Sequence, residues 1–181
     1  MNSVDKISLF EYIVYRLVEW YKEIVSDNQE NIDRHFSRLT TLKLLFFVSS
    51  IKDRQNNNKD LLNIFNQFYA MQYGPVEAEV YTAIVHNRTT RYTLGTRKLI
   101  KSMSDPDFTN LDPVIIADVN NAIDLLRKKN PNIISYSASR LINISHKWDA
   151  WKNAMAIANI LGKGSEPMSV TDIRTNQQIY E

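Results

Sequence analysis

Between Ile7 and Val25 the apolar residues Ile7, Phe10, Ile13, Val14, Leu17, Val18, Tyr21, Ile24 and Val25 recur at helical spacing, the stripe of a helix that faces a core. Helix-compatible residues dominate the remaining segments too, and four glycines in 181 residues suit an α-rich fold better than a sandwich or barrel. The expected fold class is mainly α: a compact multi-helix fold, with a small β-hairpin drawn from residues 68–73 and 88–95. The length suits one domain spanning 1–181, and an apolar content of 44% can bury a substantial core.

The polar stretch SDNQENIDRHFSR separates the first helix from a second over Leu39 to Ile51, where Thr40 or Thr41 can cap the start and Leu42, Leu45, Phe46 and Phe47 make the helix deeply apolar. The segment DRQNNNKD, at 53–60, reads as an exposed loop. Residues 61–73 mix a helical LLNIF with a strand-like QFYAMQY and predict an extended approach to Gly74. Gly74-Pro75-Val76-Glu77 then has the chemistry of a helix start, with proline at the first helical position and an acid at the positive end, so a helix is expected over about 75–86.

RTTRYTLG, at 88–95, predicts a short strand. Asp112-Pro113 opens a helix to Lys129, closed by Asn130-Pro131. Ser135 or Ser137 starts a short helix through Leu141, and another from Trp148 to Leu161 stops at Gly162. Met168-Ser169 before Asp172 imitates a capping box for a last short helix, after which NQQIYE is expected to fray.

Several functions are disfavoured by composition. Cysteine is absent, which removes disulfides, zinc–thiolate sites and a cysteine nucleophile and fits a cytoplasmic address. Charges at Asp5, Lys6, Glu11, Arg16 and Glu19 interrupt any signal-peptide core, and no uncharged apolar run approaches the roughly 20 residues that span a bilayer. His35, His86 and His146 lie far apart without a metal-binding spacing, and the glycines form no phosphate-cradling loop. No metal, cofactor or catalytic residue is expected, and a net charge of +2 does not by itself imply a polyanion partner.

Three separated segments carry a more specific signal: Leu42-Lys43-Leu44-Leu45-Phe46, then Met71-Gln72-Tyr73-Gly74-Pro75-Val76 with Val80-Tyr81, then Ser145-His146 with Trp151-Lys152. Their order and spacing resemble the Panacea domain, also called the SocA-like antitoxin domain or DUF4065, over roughly residues 5–175. The family patterns are LxKLLY, WxYGPV followed by VY, and THxxxPWK. Phe46, Met71, Ser145 and Ala150 stand where the family has tyrosine, tryptophan, threonine and proline. The resemblance implies a non-enzymatic antitoxin that neutralises a protein toxin, encoded by an adjacent gene, through direct binding. It also implies a related possibility, an adaptor that delivers its partner to a protease.

Each candidate residue has a plainer alternative beside this one. Tyr73 can anchor a partner or simply pack over the helix start. Ser145-His146 invites a catalytic reading, yet no nucleophile–base–acid set is evident, and a cap completed by Asp149 explains the same pattern. Trp148 and Trp151 share a helical face, with the core the better place for Trp151. The acid-free stretch from Thr82 to Met103 holds Arg88, Arg91, Arg97, Lys98 and Lys101 around Tyr92, so it can meet nucleic acid, an acidic protein surface, or only solvent. The expected partner-facing residues are Tyr73, Arg91, Tyr92, His146, Trp148 and Lys152, and the motif residues serving structure are Lys43, Leu45, Phe46, Gly74, Pro75, Val76 and Trp151. A homo-oligomer and a nucleic-acid-binding regulator of a mobile element stay open beside the antitoxin reading.

Overall fold

The computed structural model describes residues 5–51, 60–175 and 178–181. Helix α1, Lys6–Ile24, is capped by the Asp5 carboxylate, which accepts from the Ile7 and Ser8 amides, and it buries Phe10, Ile13, Val14, Leu17 and Tyr21 as the periodicity predicts. Ile24 and Val25 end the stripe half-exposed. The polar stretch that follows is no mere separator: Asn28 caps a short helix α2, Gln29–His35.

Helix α3, Arg38–Ser50, starts one residue before the expected Leu39, and Ser37, not Thr40 or Thr41, is its cap. Both threonines lie inside the first turn, where Thr41 Oγ1 donates to the Ser37 carbonyl at 2.9 Å. Every residue from Thr40 to Ser50 is buried, so α3 has no solvent face and runs through the centre of the fold. Asp60 caps a 3₁₀ turn at Leu61–Asn63, and the rest of the expected 53–60 loop lies outside the described residues.

The largest departure follows. Strand β1, Phe68–Met71, turns at Gln72-Tyr73 into β2, Gly74–Glu77, so Pro75 sits in a strand rather than at a helix start. The next helix, α4, Ala78–Val85, begins three residues late with Glu77 as its cap. Gly74 at φ +88° supplies the left-handed backbone that closes the turn, and Pro75 is tolerated because β2 is an edge strand. A Gly-Pro-x-Glu sequence satisfies both geometries locally, and pairing with the adjacent strand selects the hairpin.

Strands β3, Tyr92–Leu94, and β4, Leu99–Ser102, form a second hairpin with a bulge at Thr93/Leu94. Segments 68–71 and 92–94 are thus strands as expected, but each pairs with its own downstream neighbour. Helix α5 runs Pro113–Lys129 from an Asp112 cap, α6 Ala138–His146 from a Ser137 cap, and α7 Asp149–Ile160 to a left-handed Gly162. Strand β5, Ser165–Pro167, joins the first sheet in the order β2-β1-β5, all antiparallel, and α8, Val170–Thr175, ends the elements.

The architecture is mainly α with small antiparallel sheets, and one continuous apolar cluster links α1 to Tyr180. Residues 178–181 of the terminal segment are docked, not frayed, while 176 and 177 lie outside the described residues. Gln178 donates to the Ser50 carbonyl at 2.6 Å, the carbonyls of Ile179 and Tyr180 accept from Trp148 and Asn130, and the Tyr180 ring packs on Phe47 and Trp148. Among the described residues no helix is long and apolar enough to cross a membrane.

Candidate functional site

The three sequence segments converge on the β1–β2 hairpin. From α3, Lys43 reaches the hairpin with its side chain fully buried, and Nζ donates to the Pro75 carbonyl at 2.5 Å. Burial, which strips water from the charged form, lowers its pKa from 10.5 to about 7. From the end of α6, Ser145 packs so closely under Gly74 that an added Cβ would collide with Ser145 Oγ and lie 3.2 Å from Lys43 Cε. Glycine is needed there twice over, for its backbone angle and for its missing side chain.

His146 and Trp151 fasten the other side. Their rings stack at 3.7 Å with a 13° tilt, and Trp151 Nε1 donates to the Met71 carbonyl at 3.1 Å. Burial holds the His146 pKa below its ordinary value, the Lys43 charge pushes in the same direction, and the Gln72 backbone opposes them. His146 Nε2 is buried without a partner among the described residues. Beyond the strand, the buried Glu77 caps α4 through the Val80 amide at 2.8 Å and pairs with Lys6 at 3.0 Å. The backbone from Met71 to Glu77 is therefore tied to α1, α3 and α7. At its tip Tyr73 is 60% exposed.

Other expected positions behave differently. Trp148 cannot face a partner: it is fully buried, edge-on to Phe46 and Tyr180. Trp151 keeps the structural role expected of it, half-buried and packed against the edge of the core, but the fully buried place falls to Trp148. The reason is that Trp148 precedes α7 as its cap residue and does not share a helical face with Trp151. Ser145 and His146 end α6 instead of capping a helix, and Asp149 pairs with the exposed Lys152 at 3.0 Å, not with His146. Leu45, Phe46 and Val76 are core residues.

The basic stretch is also reorganised. Tyr92 is only 1% exposed and has no face to offer a base. Arg91 is committed inward: it pairs with the buried Glu11 at 2.9 Å, donates to the Asp107 carbonyl at 2.9 Å, and lies over the Phe108 ring. Glu11 additionally accepts from the Thr90, Arg91 and Tyr92 amides, so one carboxylate organises the entry to the second hairpin. The sequence reading missed Glu11, although an acid at a core-facing level of α1 was the available signal. Arg88, Arg97, Lys98 and Lys101 remain exposed.

Among the described residues no group of three or more His, Asp or Glu side chains is placed to hold a metal ion. Comparison of the chain with protein-family models, with curated proteins and with solved structures gives no match.

Proposed function

We propose that this chain is a non-enzymatic interaction protein, the antitoxin of a bacterial toxin–antitoxin pair that neutralises a protein toxin by direct binding. The observation that carries the reading is Tyr73, an exposed aromatic on a hairpin tip whose backbone is held by Lys43, Trp151 and Glu77. An aromatic presented by a fixed backbone loses little entropy on binding, which is the character of an interface hot spot. The resemblance of the three converging segments to the Panacea pattern supplies the toxin as the kind of partner. His146, stacked on the Trp151 that holds the hairpin, and the exposed Lys152 that follows Trp151 in α7 are the supporting candidates.

Co-expression tests this: toxicity of the adjacent gene product should be relieved by the wild-type chain, with recovery of a stable complex, and Tyr73→Ala should lose both while still folding. Rescue without any complex would sink direct binding. A nucleic-acid reading draws on one observation, the exposed cations Arg97 and Lys98 at the turn of the second hairpin. It requires an affinity for DNA or RNA that falls steeply with salt.

A further inference from the structure

We propose that the β1–β2 hairpin works as a proton-controlled clamp: Lys43 and His146 hold its turn in place while both are uncharged, and proton uptake by either one loosens it. Three side chains from other elements grip main-chain carbonyls around this turn. Trp151 Nε1 donates to Met71 at 3.1 Å, the His146 ring donates to Gln72, and Lys43 Nζ donates to Pro75 at 2.5 Å. Two of the three grips are titratable, and the turn they hold carries the exposed Tyr73.

The geometry accommodates both groups with one proton fewer than their charged forms carry. A lysine ammonium has three N–H donors and an imidazolium has two. Lys43, fully buried, meets one acceptor among the described residues, and His146 Nε2 is buried with no partner among them. Charging either group would therefore leave buried N–H donors without acceptors, which is costly. The carboxylates on the surrounding elements are engaged elsewhere. Glu77 and Glu79 pair with Lys6, Glu11 of α1 with Arg91, and Asp60 with Arg174. Asp149 of α7 pairs with Lys152 and Glu166 of β5 with Lys163, while on α5 Asp118 is engaged and Asp124 is exposed.

The direction of the response follows from where each group titrates. Burial sets Lys43 at about 7 against its ordinary 10.5, so opening the turn to water takes up a proton between these pH values. Opening is favoured as pH falls through that window, and the gain is complete below it. His146 is held below 6.5 by burial first and the Lys43 charge second, against the Gln72 bond, and it repeats the effect in acid. Only the turn has to move, because Gln72 and Tyr73 are exposed while Lys43 sits on the central helix. A loosened turn no longer presents Tyr73 on a fixed backbone. That consequence rests on Tyr73 as the partner-facing residue, whereas the clamp itself does not.

The experiment is hydrogen exchange of the full chain without a partner, from about pH 5 to about pH 9, read as protection relative to the intrinsic exchange rate at each pH. Protection of the β1–β2 amides and the Trp151 indole N–H should fall with pH, by up to about ten-fold per unit above pH 7, while the β3–β4 amides hold constant. Lys43→Met, which keeps an unbranched side chain and removes the amine, should abolish the dependence above pH 7. His146→Asn, which keeps an N–H for the Gln72 carbonyl, should remove only the part below 6.5. The comparison of the two hairpins in the unmodified chain decides the matter even where a variant fails to fold. The proposal is overturned by β1–β2 protection that stays constant with pH in the unmodified chain, by a parallel change in both hairpins, or by a dependence that survives in both variants.

Discussion

The two hairpins are built from similar lengths of chain and differ in how their backbones are held. The β1–β2 hairpin is fixed by side chains from other elements that reach its main chain, Lys43 to Pro75 and Trp151 to Met71, and it exposes a tyrosine at its tip. The β3–β4 hairpin is fixed at its entry by Glu11, while its turn and outer strand carry exposed Arg97, Lys98 and Lys101 and an Ile100 that is 65% exposed. Exposed cations on a strand cost little and need no partner, whereas a rigidly mounted exposed aromatic has no structural task of its own at that spot. Exposure acquires functional meaning from the rigidity beneath it.

Breaking either fastening should have the largest effect. Glu11→Ala strands three backbone amides and the Arg91 guanidinium, so urea unfolding should show a loss of about 3–5 kcal/mol. Gly74→Ala combines a φ of +88° with the collision against Ser145 and should cost about 2–4 kcal/mol, whereas Gly164→Ala, which meets open space, should cost under about 1 kcal/mol. Equal effects of the two glycine substitutions would remove the tight seat under the first hairpin.

Lys43 gives that hairpin a pH signature. Its folded-state value, about 7, lies below the ordinary 10.5, so between these pH values the unfolded chain holds a proton that the folded chain has released. The penalty for burying the charge is fully present below pH 7 and disappears as pH rises toward 10.5. Stability from this group therefore rises across that window, by at most about 1.4 kcal/mol per pH unit. Lys43→Met should flatten the rise in stability-versus-pH measurements, and an unchanged slope would show that Lys43 stays charged.

Surface positions should change stability least and discriminate function best. Tyr73→Ala should alter unfolding free energy by less than about 0.5 kcal/mol yet cost on the order of 2 kcal/mol in toxin affinity by calorimetry. Lys98→Ala should be silent in stability, within about 0.5 kcal/mol, and should leave toxin neutralisation intact. If Lys98→Ala abolished neutralisation and Tyr73→Ala did not, the functional surface would be the second hairpin.

Much of this was legible in the residues because helix periodicity and capping act over one or two turns of chain. The stripe on α1, the Asp112-Pro113 start and Gly162 stop all read correctly for that reason. Local chemistry also left ties that it could not break. Gly-Pro-x-Glu suits a helix start or a hairpin edge, and only pairing with Phe68–Met71 decided for the hairpin. Trp148 and Trp151 are chemically alike, and the docking of the terminal segment against α6 and α7 decided which is buried.

The sequence by itself determined the helical class of this protein and the presence of three segments resembling one family, since both depend on residue type and spacing. Tertiary structure alone decided that Lys43, Gly74, Ser145, His146 and Trp151 meet at one hairpin, that Tyr73 stands outside it, and that Tyr92 turns inward. Burial and long-range contact are properties of the whole packed chain, and no local pattern encodes which of two similar side chains the core will take.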